Sequence, residues 1–155
     1  MKYHVVDSKI FYPERRILFI GNFSYIQNLD AVEWLLKDIW KYIKEQEIVM
    51  QYNLLLWVVG RRIPDHLKKL AKGDDSVLFD EQVEDTASAY HKAYISLAPI
   101  RVGGGSNLKI LESMACGIPV IATTMANKGI GAVPNKEILL ADTKEEYARQ
   151  LLRLL

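Results

Sequence analysis

From Ile17 onward the chain alternates short, unbroken apolar runs with longer segments in which apolar residues recur every three or four positions. The runs Ile17–Gly21, Leu54–Gly60, Ser76–Phe79, Tyr94–Ala98, Pro119–Thr123 and Ile138–Ala141 have the length of strands. Because they do not interleave polar residues, they predict strands covered on both faces. Between the first two, Leu29, Val32, Leu36, Ile39 and Ile43 share one helical stripe, with Asn28 placed to cap it. Further helices are predicted at Pro64–Ala71, with its proline near the first turn, and at Asp85–Lys92, Asn107–Cys116 and Lys144–Leu154. The last opens with Thr143-Lys-Glu-Glu146, a capping box in which Thr143 and Glu146 satisfy each other's backbone donors. Strands alternating with helices through right-handed crossovers build an α/β domain: a doubly wound, open parallel sheet of about six strands with helices on both faces. Ligands of such sheets bind beyond the carboxyl ends of the strands. Function is therefore expected in the turns Asn22–Asn28, Arg61–Ile63, Asp80–Glu84, Pro99–Ser106 and Thr124–Gly131.

Composition narrows the partner. At 155 residues, half of them hydrophobic, the chain has the size of one domain with one sizeable core. Lys and Arg number 20 against 19 Asp and Glu, without a run of like charge, which argues against nucleic acid or an anionic membrane as partner. Cys116 is the single cysteine, so an internal disulfide and a cysteine-rich metal site are excluded and a reducing compartment fits. The segment Met1–Ser8 lacks a signal-peptide core, and no apolar run approaches the roughly 18 residues of a membrane span. A soluble, cytoplasmic protein that binds a small molecule is the expectation.

One turn differs from the others: three consecutive glycines, Gly103, Gly104 and Gly105, stand directly before a predicted helix. Without Cβ atoms they can turn amides toward a ligand, while the helix start adds unpaired N–H groups and partial positive charge, together an anion seat. Ser106 either caps this helix or donates its hydroxyl to a phosphate, and Lys109, one turn in, supplies a full positive charge. Helical spacing places Leu108, Leu111 and Ala115 on the core face and Lys109, Glu112 and Cys116 about 100° around, toward the ligand. A carboxylate beside a diphosphate must serve a neighbouring group, and two adjacent ribose hydroxyls suit the two oxygens of Glu112. Taken singly, the glycines read as a tight turn, Glu112 as solvated and Lys109 as a surface lysine; their conjunction points to a nucleotide. Cys116, beside the helix-ending Gly117, reads as packing.

Other chemistries lack their motifs. The first strand–turn is Gly21-Asn-Phe-Ser-Tyr, without G-x-G-x-x-G, and the second strand ends in Gly60-Arg61-Arg62 rather than an acidic residue, so a NAD site is disfavoured. An NADP site using Arg61 and Arg62 for the 2′-phosphate stays as a rival. Lys109 is neither preceded by glycine nor followed by Ser or Thr, which excludes a P-loop. His4, His66 and His91 lack metal-ligand spacing, and no metal or cofactor is expected. Phe23 and Tyr25 read as core ahead of ligand walls, and Trp34, Trp40 and Trp57 as packing.

The stretch Lys109-Ile-Leu-Glu-Ser-Met-Ala-Cys-Gly-Ile-Pro-Val120, following the glycine-rich turn, resembles the "K-x-L-E-x-M-A-x-G-x-P-V" run in the C-terminal domains of the retaining GT-B glycosyltransferases of family 4. Val6-Asp7 through Phe11 and Pro13 looks like the strap entering that domain, Ile17–Tyr25 like its first strand and loop, and Leu139-Leu-Ala-Asp142 like its last strand. The resemblance implies a Rossmann-like domain, the C-terminal half of a GT-B fold, over residues 15–155 behind an entry strap at 1–14. It also implies transfer of a sugar, with retention, from a nucleotide diphosphate donor such as a UDP- or GDP-sugar. The acceptor would be held by an N-terminal domain absent from this sequence, through which any membrane contact would be made. Carried over, Glu112 would bind the ribose, Gly103 to Asn107 would contact diphosphate and sugar, and Val83 would border the base. The pattern departs at two places: Gly104 stands where many relatives carry the first glutamate of E-x(7)-E, and Asn22 and Gln27 stand where many carry an Arg and a Lys. Either the amides of the glycine turn and Lys109 take over the diphosphate, or the donor is bound differently. The competing expectation is a non-catalytic nucleotide-binding or interaction module.

Overall fold

The structure, a computed structural model, describes residues 13–103 and 107–155. Most of the strap lies outside the described residues, as do Gly104, Gly105, Ser106 and His4. Six strands, β1 (Arg15–Asn22), β2 (Leu54–Arg61), β3 (Val77–Asp80), β4 (Ile95–Ala98), β5 (Val120–Ala122) and β6 (Leu139–Leu140), form one sheet in the order β3-β2-β1-β4-β5-β6. Every pairing is parallel, which requires a crossover after each strand. The chain runs outward from β1 to β3, returns to β4 beside β1, and runs outward again. The direction thus reverses between β1 and β4, the topological switch point of a doubly wound sheet.

The unbroken apolar runs lie between two layers. Ile17 and Phe19 of β1 join the cluster that holds Ala31, Val32, Leu35, Ile39, Ile43, Tyr147, Ala148 and Leu151. The residues alternating with them, Leu18 and Ile20, join Trp57, Val59, Ala89, Tyr90 and Cys116 on the opposite side. A strand with both faces buried can be apolar throughout, which is why period-two alternation is missing. At the carboxyl ends of β1 and β2, Gly21 pairs with Gly60. A Cβ on Gly60 would stand 1.9 Å from the Gly21 carbonyl oxygen, so only glycine lets these strand ends approach.

The first helical segment is longer and less regular than its stripe predicted. Helix α1 (Ile26–Trp34) passes through a π-helical segment (Leu35–Trp40) into α2 (Lys41–Glu45), with αR backbone at both junctions. The wider i→i+5 bonding shifts the inward face by a residue: Leu35 and Trp40 enter the core, while Leu36 is only partly buried against it. Asn28 does not cap the helix. Tyr25 holds the N-cap position without a side-chain bond, and Asn28 lies within α1, buried. Helix α3 (Ile48–Gln51) was not signalled by the pattern, and the turn predicted at Thr124–Gly131 contains helix α7 (Thr124–Lys128), capped by Thr123 accepting from the Ala126 amide. Helices α4 (Asp65–Leu70), α5 (Thr86–Lys92), α6 (Leu108–Ala115) and α8 (Lys144–Leu154) fall where the sequence placed them. The α8 capping box between Thr143 and Glu146 is present. Trp34, Trp40 and Trp57 are all buried, as is Cys116, whose thiol is pushed up by burial and then by the Glu112 charge. Among the described residues no helix is long and apolar enough to cross a membrane.

Candidate functional site

A cleft of about 630 Å³ opens at the carboxyl ends of β1, β2 and β3, bounded on its far side by residues of α5 and α6. This is the position that a doubly wound sheet assigns to its ligand, and the volume suits a small molecule. Asn22, Val83, Asn107, Lys109 and Glu112 all line it, although they are spread from the first strand to the sixth helix. Gly103 does not line the cleft. It adopts φ 88° and lies against Gln27, which does. With Gly104, Gly105 and Ser106 outside the described residues, the glycine-rich seat is visible at its two flanks.

Helix α6 is turned differently from its predicted orientation. Leu108, Leu111 and Ala115 are exposed, and Ile110, Ser113 and Cys116 face inward. The correction has a geometric cause. Residue Ser113 bonds back to the Lys109 carbonyl at 2.6 Å, so a hydroxyl sits comfortably in the core, and a polar residue therefore occupies an inward position that a hydropathy stripe leaves out. Lys109 and Glu112 nevertheless both reach the cleft.

The two side chains are held in contrasting ways. Lys109 Nζ donates to Asn28 Oδ1 at 2.7 Å and stands 4.4 Å from the Phe19 ring centroid. Removal from water lowers its pKa to about 7, with the Glu112 charge opposing the shift. Glu112 Oε2 accepts from the hydroxyl of Tyr90, a fully buried residue of α5, at 2.9 Å, which fixes the carboxylate from behind. Asn107, at the start of α6, donates its Nδ2 to the Ala126 carbonyl at 3.0 Å and so ties this helix to α7. In the first loop, Asn22 Oδ1 accepts from the Ser24 amide at 2.9 Å, an Asx turn. Phe23 belongs to the core, whereas Tyr25 is exposed and lines the cleft. Arg61 lines it as well, while Arg62 donates to Ser24 Oγ at 3.3 Å. Among the described residues no group of three or more His, Cys, Asp or Glu is arranged to hold a metal ion.

Four residues escaped the sequence reading. Arg101, two residues before Gly103, forms a two-pronged ion pair with Asp30 of α1 (Nε to Oδ2 3.1 Å, Nη2 to Oδ1 2.8 Å) and lies over the Trp34 ring at 4.5 Å. Asn28 and Tyr90 hold the two cleft residues of α6. Their partners lie 71, 81 and 22 positions away along the chain, and no local pattern in one sequence signals such pairs.

The strand order and a cleft beyond the carboxyl ends of the strands define a Rossmann-like α/β architecture of the GT-B type. The chain belongs to the family "Glycosyl transferases group 1", whose model matches residues 14–155. A Klebsiella pneumoniae protein described as an "Uncharacterized 44.6 kDa protein in cps region" is 23% identical over 145 residues, covering 88% of this chain and 36% of that protein. Among solved structures, TarM superimposes with a TM-score of 0.74 at 18% identity, over 99% of this chain and 30% of TarM. The C-terminal domain of LpcC, a glycosyl transferase group 1 family protein from Francisella tularensis, does so with a TM-score of 0.65 at 16% identity, over 98% of this chain and 84% of that domain. The chain thus spans about a third of the length of the first two.

Proposed function

We propose that this domain binds the donor, a UDP- or GDP-sugar, of a retaining family 4-like glycosyltransferase, as the C-terminal half of a GT-B enzyme whose acceptor is held by a separate N-terminal domain. The observation that carries this reading is the convergence of Lys109 and Glu112, one turn apart on α6, on the cleft at the switch point. A cation and a carboxylate so placed divide a nucleotide between them. Lys109, near the start of α6, faces the diphosphate together with Asn107, and Glu112, braced by Tyr90, takes the ribose hydroxyls. Val83, between β3 and α5, borders the base, and Asn22 lies beside the diphosphate and sugar.

The chemistry follows from charge. Departure of a nucleoside diphosphate develops negative charge on the leaving phosphate, and oriented amides with an ammonium stabilise it more in the transition state than in the ground state. Acceptor-side groups belong to the other domain, so this chain binds donor and transfers little or no sugar by itself. Calorimetric titration with UDP, GDP and the corresponding sugar nucleotides tests the reading. Binding should weaken by about 10- to 100-fold in Glu112→Ala, the magnitude of one lost hydrogen bond to a charged group. A wild-type chain that ignores all of these ligands leaves the interaction-module reading in possession, and a preference for NADPH would move the function to the other nucleotide class.

A further inference from the structure

We propose that Asn28 is a positioning residue: its carboxamide, locked between the first loop and Lys109, delivers the lysine ammonium to the donor's diphosphate. This role presupposes the donor-binding reading above and adds to it a residue at the cleft wall that acts through Lys109. Asn22 and Gln27 leave the first loop without a side-chain cation, and the charge comes instead from across the cleft, where Lys109 reaches from α6 to the loop side. The side chain that meets it there is Asn28.

Three observations make Asn28 a holder rather than a bystander. Its Nδ2 donates to the Asn22 carbonyl at 2.7 Å while its Oδ1 accepts from Lys109 Nζ at 2.7 Å. A carboxamide donates from one atom and accepts at another, so it can bridge two separate partners; aspartate keeps the acceptor and loses the donor, and alanine loses both. The side chain is 7% exposed, so its orientation is set by packing. The space it fills is reserved, since a Cβ on Gly21 would stand 2.8 Å from Asn28 Cγ. Two residues further along α1, Asp30 grips Arg101. One stretch of helix thereby holds both flanks of the glycine-rich segment, Arg101 before it and Lys109 after it. An ammonium has three N–H donors, and spending one on Asn28 orients the others.

The surroundings of Lys109 make its charge sensitive to what stands at position 28. Glu112 on its own helix is the charged group that acts on it. From β1 it meets the uncharged Phe19 ring, from α1 the uncharged Asn28, and from α5 the Tyr90 hydroxyl, which donates to Glu112; Arg61 of β2 lines the same cleft.

The test is a double-mutant cycle read by UDP and GDP titration of this chain, with thermal unfolding as the check on folding. Lys109→Met should weaken binding about 30-fold and Asn28→Ala about 10-fold. The double variant should be no weaker than Lys109→Met, because Asn28 acts only through the lysine. The pH profile gives a readout that a purely structural asparagine would not move. In the wild type, affinity should fall between pH 7 and pH 9 as Lys109 loses its proton, and in Asn28→Asp that fall should vanish, because a carboxylate at this position keeps the ammonium charged. Equal affinity in wild type and Asn28→Ala, losses that multiply in the double variant, or a pH-dependent fall that survives Asn28→Asp would each overturn the positioning role and leave donor binding standing. A wild-type chain that binds neither nucleotide overturns both. Should Asn28→Ala fail to fold, the Asn28→Asp profile carries the test alone.

Discussion

The two ends of the cleft put their charged side chains to opposite uses. At the β3 end stand Asp80, Glu81, Glu84 and Asp85, a concentration of carboxylates that looks hostile to an anionic ligand. Three of them are engaged in holding the chain. Asp80 accepts from the Trp57 indole at 3.3 Å and the Gln82 amide at 3.0 Å, Glu81 from the Ile63 amide at 2.9 Å and from Lys68, and Asp85 caps α5 through the Ser88 amide at 2.7 Å. At the α6 end a single lysine is held against an aromatic face and a carboxamide, withdrawn from water. Counting charges would place an anion nowhere in this cleft. Asking what each charge is already doing favours the proposed arrangement, with a diphosphate at α6 and the base at the β3 end, where carboxylates would repel nothing.

The largest effect that would break this comparison is the loss of binding in Lys109→Met, about 2 kcal/mol for a hydrogen bond to a charged group; a comparable loss in Glu81→Gln would show the two ends to be equivalent. Stability should move the other way. Lys109 titrates near 7 in the folded chain against an ordinary 10.5, so between those values the unfolded chain binds more protons and stability rises with pH. Denaturant titrations at pH 7 and pH 9 should show that rise in the wild type. In Lys109→Met it should be absent, and at pH 7 the variant should be at least as stable as the wild type, because a desolvated charge has been removed. A cleft residue that is costly to fold around sharpens the contrast with the β3 carboxylates, which support the fold.

Arg101→Ala comes next in size. The pair with Asp30 is largely surface-exposed, so its removal together with the Trp34 contact should cost about 1 kcal/mol of stability, and nucleotide affinity should drop about threefold as the leading flank of the glycine-rich segment loosens. Chemical denaturation and titration on the same sample would check both. The smallest effect is expected at the β3 end. Glu81→Gln keeps an acceptor for the Ile63 amide and loses only the exposed pairing with Lys68, so the midpoint should barely move and UDP or GDP affinity should stay within about twofold.

Much of this molecule was legible in one dimension. The apolar runs located all six strands to within a residue or two, because strands buried on both faces must be apolar throughout. The capping box of α8 was readable because its partners lie three positions apart, and the shared approach of Lys109 and Glu112 to one cleft because they stand one helical turn apart. The misreadings share a cause. Asn28 looked like a cap because caps are asparagines before stripes, but a buried site opposite Gly21 and Lys109 gave its carboxamide a better set of partners. Leu108, Leu111 and Ala115 looked like core because hydropathy alone cannot tell that Ser113 satisfies its hydroxyl on its own helix. The π-helical segment shifted a stripe that assumes 3.6 residues per turn.

The sequence by itself therefore determined the elements and their alternation, since each depends on neighbours within a few positions. Tertiary structure alone decided the strand order, the switch point beside β1, and the partners that fix the cleft: Asn28 on Lys109, Asp30 on Arg101 and Tyr90 on Glu112. Those contacts bring together residues far apart in the chain, and a hydrogen bond across such a distance exists only after the core has packed and brought its two groups into reach.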